Sequence, residues 1–192
     1  MTADKSAARA HPACRAGSGP LIGPRVMLRA YSVTDAQTVW EAIEETRGSL
    51  LCWMPDIGRH RTAAEVGRAL AALCGRQAEG ECLVLGVWER ASGRLLGEVG
   101  LYKLDPPARR AEVGYWLRAT AWGQGYATEA LGLLLDHAST EFGLERFEAH
   151  VAAENQASRR VAERVGFRPA GRRPPVARWD GQAGEVLIYA RE

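Results

Sequence analysis

The stretch Trp116-Leu117-Arg118-Ala119-Thr120-Ala121-Trp122-Gly123-Gln124-Gly125-Tyr126-Ala127-Thr128-Glu129-Ala130 decides how the rest of the chain reads. It opens as the end of an apolar run, turns on Gly123 and Gly125, and enters a segment of helical period. The first main-chain N–H groups of a helix have no partner inside it, and the helix dipole makes that end positive. Glycine lets an anion come close to such a backbone. The stretch therefore reads as a cradle for a diphosphate. Taken alone, it fits equally well a glycine loop that simply starts a helix. As a dinucleotide fingerprint it fails, because Thr128 stands where the third glycine belongs and the preceding strands read as antiparallel. That disfavours a nucleotide-binding oxidoreductase.

Working upstream, residues 111–117 form a strand. Alternation puts Val113, Tyr115 and Leu117 on one face and Glu112, Gly114 and Trp116 on the other. Residues 83–88 and 95–104 are two earlier strands joined by a turn at Ser92-Gly93, the second ended by Asp105-Pro106-Pro107. The three make an antiparallel meander. Further back, residues 26–31 suit a short strand. Residues 34–47 suit a helix capped by Thr34 or Asp35, with an apolar run over 50–55 after it. Residues 62–79 suit a second helix, Thr62 and Glu65 forming a capping box.

Downstream, residues 125–142 carry Ala127, Leu131, Leu134, Ala138 and Phe142 on one helical stripe, with Gly143 as the stop. Phe147, Ala149 and Val151 alternate in the next strand. Strand, helix, strand in that order implies a right-handed crossover and a parallel pair. Asn155 is placed to cap a helix that ends at Gly166, and strands near 168–173 and 184–190 finish the chain.

Composition sets bounds. At 192 residues, 46% hydrophobic and 25% charged, the chain is expected to be one soluble domain over 21–192. Residues 1–20, poor in large apolar side chains, read as a flexible tail. A net charge of +2 with scattered arginine pairs gives no reason to expect nucleic acid or membrane as partner. Cys14, Cys52, Cys74 and Cys82 lie far apart, with no metal spacing, so no metal is expected and reduced thiols in a cytoplasm are the simplest account. No signal peptide or membrane span is legible.

A second motif sharpens the first. Asn155-Gln156-Ala157-Ser158-Arg159-Arg160-Val161-Ala162-Glu163-Arg164-Val165-Gly166-Phe167 sets a polar cap, a helix and a Gly-Phe stop one strand after the glycine loop. In that order the two resemble the GNAT N-acetyltransferase superfamily, whose pyrophosphate loop has the form Arg/Gln-x-x-Gly-x-Gly/Ala and whose next motif has the form Asn-x-x-Ser/Ala. The 21–30 segment, the Trp53-Met54-Pro55 turn and Gly114-Tyr115-Trp116-Leu117 resemble the branch that acetylates N-termini of ribosomal proteins. The resemblance spans roughly residues 21–191. It implies an α+β fold of about seven mostly antiparallel strands, splayed at one parallel pair and flanked by about four helices.

It further implies acetyl-CoA as co-substrate and direct attack by a primary amine in a ternary complex. The acceptor is expected to be a protein N-terminal α-amine. The alternatives are a small-molecule amine (polyamine, amino acid or antibiotic) and a CoA-sensing module without turnover. A homodimer is left open. Backbone near Leu117 and Arg118 would meet the pantetheine amides. The loop from Trp122 through Gly123, Gln124, Gly125, Tyr126 and Ala127 to Thr128 would hold the pyrophosphate. Asn155 would reach the pantetheine arm and Arg160 a CoA phosphate. The acceptor would meet Arg47, Trp53, Met54 and Trp116, with Trp179 as another wall, although Trp53 and Met54 suit a core equally.

Two departures matter. Trp122 replaces the Arg/Gln at the head of the loop, and Ala162 replaces the tyrosine that protonates the leaving thiolate in many members. Ser158 is the substitute acid, or else an ordinary first-turn polar residue. Glu112 resembles the strand glutamate that serves as base in some relatives; the alternative is an ion pair with Arg109 or Arg110. His150 reads as a surface residue or a satisfied polar contact.

Overall fold

A computed structural model describes residues 19–177 and 183–192. The tail read over 1–20 falls almost wholly outside the described residues, as do Cys14 and Trp179. In chain order the strands are β1 (Leu21–Ile22), β2 (Val26–Arg29), β3 (Leu83–Glu89), β4 (Leu95–Asp105), β5 (Arg110–Leu117), β6 (Arg146–Ala152), β7 (Arg168–Ala177) and β8 (Ala183–Arg191). The helices are α1 (Ala36–Trp53), the single turn α2 (Pro55–Gly58), α3 (Ala63–Ala78), α4 (Tyr126–Phe142) and α5 (Gln156–Arg164).

The strands form one 8-stranded sheet in the order β1-β2-β3-β4-β5-β6-β8-β7. Every neighbouring pair is antiparallel except β5 with β6. The strand beyond the expected seven is the two-residue β1 at the edge.

Local chemistry explains the helix boundaries. Ser32 caps a 3-10 turn at Val33–Asp35 through a complete capping box, so α1 starts only at Ala36. The helix read over 34–47 runs on to Trp53, because Leu50 is buried in the layer beneath it. Thr62 accepts from the Glu65 amide at 3.2 Å, whereas the Glu65 carboxylate turns to the Arg61 amide. The expected capping box is therefore half formed. Gly143 ends α4 in the left-handed conformation (φ 63°) that only glycine adopts cheaply.

The sheet has two apolar faces. Leu85, Val99, Leu101, Val113, Leu117, Phe147 and Val151 pack with Leu131, Leu134, Leu135 and Phe142 of α4. The opposite face, with Val84, Trp88 and Trp116, packs under α1 and α3 through Val39, Ile43, Leu50, Val66 and Leu70. This division matches the alternation read in 111–117.

The sheet opens at its one parallel seam. β5 pairs with β6 only from Arg110↔Arg146 to Val113↔Ala149. Beyond that rung β5 stays with β4 as far as Gly97↔Leu117, and β6 stays with β8 as far as Ala152↔Val186. The two strands diverge and leave a V.

Candidate active site

A cavity of about 560 Å³ occupies the V. One wall is Gly114 to Leu117 of β5, the other Ala149 to Ala152 of β6. The glycine loop and the first turn of α4 close one end, and the first turns of α5 another. Leu50, Trp53 and Met54 cover it from the α1–α2 turn.

The loop end suits an anion. Gly123 (φ 74°) and Gly125 (φ 82°) both hold left-handed backbone, and Gly125 caps α4 with no side-chain hydrogen bond to the helix. The N–H groups of the first turn are thus left to a ligand. Thr128 lines the cavity, and its buried Oγ1 has no hydrogen-bond partner among the described residues. Arg160 and Arg164 add positive charge to the wall.

The rest of the loop is fastened from behind. Arg25 donates to the Gln124 carbonyl at 2.9 Å and pairs with Glu129 at 2.8 Å. Glu129 also accepts from the Arg25 and Val26 amides, and these bonds outweigh its burial and hold its carboxyl below the usual range. Thr46 of α1 accepts from the Ala119 amide, and Glu45 accepts from the Thr120 amide. Arg118 is buried and sits 3.6 Å from Glu45; burial lowers its pKa.

Of the residues singled out from sequence, Leu117, Trp122, Gly123, Gly125, Tyr126, Ala127, Thr128, Asn155, Ser158, Arg160, Trp53, Met54 and Trp116 meet at the cavity. Glu112, Arg118, Gln124 and Arg47 do not line it. Arg47 instead donates to the Gly58 carbonyl and pairs with Glu44, which pins the α1–α2 turn. The two backbone groups expected to meet pantetheine have partners in the protein. The Trp122 indole donates to the Leu117 carbonyl at 2.7 Å, and the Arg118 amide donates to the Leu96 carbonyl.

Asn155 caps α5 by accepting from the Ser158 amide at 3.1 Å. The Ser158 hydroxyl donates to the Tyr115 oxygen at 2.9 Å, and the Tyr115 hydroxyl donates to the Ser158 carbonyl at 2.8 Å. Tyr115 was read only as a strand residue. Burial pushes its hydroxyl up to about 12, so it stays protonated at any physiological pH.

Glu112 takes neither expected partner. Arg109 pairs with Glu145 and Arg110 with Asp105. The Glu112 carboxylate accepts from Lys103 Nζ at 2.5 Å and lies 3.6 Å from His150 Nδ1. Lys103 reaches it from a β4 bulge, in left-handed backbone (φ 48°). His150 itself lines the cavity.

Glu98, opposite Trp116 in β4, was read only as part of a strand. It lies partly buried in the layer under α1 and α3. Burial pushes its carboxyl up to about 7, and the Tyr102 hydroxyl, 3.4 Å away, offsets only part of that. The Tyr31 hydroxyl and the Trp116 indole also favour the ionised form, without overcoming burial. Those residues hold no group of three or more His, Cys, Asp or Glu fit for a metal ion. None of their helices is long and apolar enough to cross a membrane.

Known proteins resemble the chain in sequence and in fold. A family model described as an acetyltransferase (GNAT) domain matches residues 25–168. A Bacillus licheniformis protein named as an uncharacterized N-acetyltransferase, p20, is 25% identical over 169 residues, which cover 86% of this chain and 92% of that one. Mycobacterium smegmatis RimJ, solved with a CoA disulfide, matches at 29% identity with a TM-score of 0.80, over 90% of this chain and 85% of that one. RimL, a ribosomal L7/L12 alpha-N-protein acetyltransferase solved with coenzyme A, matches with a TM-score of 0.85 over 90% of this chain and 97% of that one. At 20% identity that last likeness speaks for the fold.

Proposed function

The chain belongs to the GNAT acetyltransferase family and is an acyl-CoA-dependent N-acetyltransferase, and from that premise we propose that its acceptor is a protein N-terminal α-amine. The observation that carries this reading is the make-up of the cavity wall. Among the described residues that line it there is no Asp or Glu, and the end under α1 and α2 is formed by Leu50, Trp53 and Met54. Such a wall offers no carboxylate to hold an ammonium. A lysine side chain titrates near ~10.4 and an α-amino group near ~8, so at neutral pH the α-amine supplies far more of the neutral, nucleophilic form. RimL, which shares the fold, is named for an alpha-N-protein substrate.

In this reading the CoA pyrophosphate lies on the uncapped first turn of α4, with the Thr128 hydroxyl available to it. Arg160 meets a CoA phosphate, and Asn155 borders the pantetheine arm. The amine nitrogen attacks the thioester carbon, the C–S bond breaks, and CoA leaves as a thiolate. Ser158 is the hydroxyl offered to that sulfur: its O–H turns from the Tyr115 oxygen to the thiolate, while the Tyr115 hydroxyl stays on the Ser158 carbonyl and keeps the residue in place. The Glu112 carboxylate stands on the proton-accepting side.

The test is thiol release from acetyl-CoA with matched acceptors: peptides with a free N-terminus, the same peptides N-blocked but carrying lysine, polyamines and free amino acids. Turnover confined to free N-termini is the expected result. Preferential turnover of a small amine would replace the acceptor. Tight CoA binding with no turnover on any amine would leave a binding module.

A further inference from the structure

We propose that His150 is the group that takes the acceptor's proton, with Glu112 as the carboxylate that steadies the resulting imidazolium. The inference rests on the acyl transfer proposed above. It starts from position. Val113↔Ala149 is the last rung joining β5 to β6, and His150 is the next residue. It therefore stands at the apex of the V, where the two strands part and the cavity begins. Its strand neighbours Ala149 and Val151 are buried against α4, so alternation turns the imidazole to the opposite face. Glu112, Gly114 and Trp116 of β5 share that face.

Chemistry narrows the choice. Among the described residues on the cavity wall the ionisable side chains are Tyr115, Tyr126, His150, Arg160 and Arg164. Arginine stays protonated, tyrosine ordinarily titrates near ~10, and imidazole near ~6.5, so only the histidine class suits a base at neutral pH. Glu112 is one step removed: it does not line the cavity, and its Oε1 is held by Lys103.

Three charged side chains surround His150. Glu112 Oε2 lies 3.6 Å from Nδ1, Glu148 Oε2 lies 3.3 Å from Nε2, and Arg173 NH1 lies 3.2 Å from Nδ1. On the β8 side its cross-strand partner is the uncharged Ile188. Arg173 can only donate, so in the resting state Nδ1 carries the lone pair and Nε2–H faces Glu148. The exposed Arg173 side chain can swing aside when the amine arrives. As the N–C bond forms, the amine nitrogen gives one proton to Nδ1, and the new imidazolium N–H faces Glu112. CoA leaves as a thiolate and takes one proton from solvent, and His150 returns one to solvent. The sum is one amide, one thiol and an unchanged enzyme.

The test is the pH profile of kcat/KM on a peptide with a free N-terminus, for wild type, His150→Gln and Glu112→Gln, with acetyl-CoA affinity measured alongside to show that each variant folds. General-base loss typically costs about 10²–10⁴-fold. His150→Gln is expected to lose about 100-fold in kcat near pH 7 with acetyl-CoA affinity kept, and to regain rate as rising pH leaves the amine neutral and supplies hydroxide to take its proton. Glu112→Gln removes a carboxylate that favours imidazolium, so the acid limb is expected to move to lower pH. A move to higher pH would make Glu112 itself the base and overturn the inference. So would a His150→Gln profile that overlays wild type. Wild-type turnover is the control that separates the two readings. If wild type acetylates no amine, the transfer reading and this inference fall together; if it turns over and His150→Gln does not differ, only the role of His150 falls.

Discussion

Replacing Glu98 by Gln should flatten the pH dependence of stability between about pH 4.5 and 7. Burial raises the Glu98 carboxyl from 4.5 to about 7 in the folded chain. The folded state therefore keeps the proton over a range where the unfolded chain has lost it. Below 4.5 both states are protonated and there is no penalty. Through that window stability falls as pH rises, and above about 7 both states are ionised and the full penalty remains. At about 1.36 kcal/mol per pH unit, the shift corresponds to about 3 kcal/mol as an upper bound, because the carboxyl is not wholly enclosed. Gln keeps the shape and can still accept from the Tyr102 hydroxyl, but it never charges. For a chain of this size each kcal/mol moves Tm by about 2–4 °C, so the variant should gain at most roughly 6–12 °C over wild type at pH 8 and almost nothing at pH 4.5. Thermal unfolding across pH 4–9 gives the comparison. Parallel curves for the two proteins would refute the reasoning, since the carboxyl would then titrate alike in both states.

Other changes test other joints of the fold. Gly97→Ala would set a Cβ 2.1 Å from the Trp116 carbonyl oxygen and 2.7 Å from Leu117 Cα, so β4 and β5 must separate. Denaturant unfolding should show a loss of about 3 kcal/mol, the upper end for overpacking, and an unchanged midpoint would contradict the close approach. Gly125→Ala forces left-handed backbone on alanine at φ 82°, at about 1–2 kcal/mol. If the α4 end holds the pyrophosphate, KM for acetyl-CoA should rise about tenfold with kcat less affected; equal KM values would remove the loop from the site. Ser158→Ala deletes the hydroxyl 2.9 Å from Tyr115 while leaving the carbonyl that Tyr115 bonds. A fall of about fivefold in kcat at constant KM, the worth of one hydrogen bond, is expected, and an untouched kcat would take Ser158 out of the reaction.

What the sequence revealed, and what it hid, divide along a physical line. The meander, α4 and α5 were legible because each is written locally: alternation in 111–117, the stripe from Ala127 to Phe142, the Asn155 cap and the Gly143 stop. The thirteen residues of the site that do meet at the cavity are mostly those of the two motifs, whose geometry is set within one turn of helix. Glu98 and His150 were not legible as functional groups. Each is one polar residue in an alternating strand, and alternation says which face it shares without saying what covers that face. For Glu98 the cover is α1 and α3, which turns a surface-type glutamate into one titrating near neutrality. For His150 the face opens, because β6 leaves β5 one residue earlier. The Lys103–Glu112 pair was hidden by the β4 bulge, which shifts the register between Tyr102 and Asp105.

The hardest feature to foresee is also the one that ties the site together. Helix α1 ends in the apolar cover of the cavity at Leu50 and Trp53. Less than two turns earlier, the same helix grips the loop that leads to the glycine cradle, through Thr46 to the Ala119 amide and Glu45 to the Thr120 amide. Glu45 also faces Arg118 at 3.6 Å and Arg94 at 3.2 Å, so one carboxylate collects two cations and two loop donors. Burial opposes its ionisation, the Thr120 hydrogen bonds outweigh that, and the carboxyl is held below its usual range. The loop donors lie more than seventy residues from Glu45 and Thr46 in the chain, too far for any periodicity to register. A glycine loop needs freedom of φ to accept an anion, yet it binds well only if that freedom is spent before the ligand arrives. Glycine at positions 123 and 125 supplies the conformation, while Glu45, Thr46 and Arg25 remove the motion on either side of it. The wall of the cavity under α1 and the anion-ready end of α4 are thereby held in one frame.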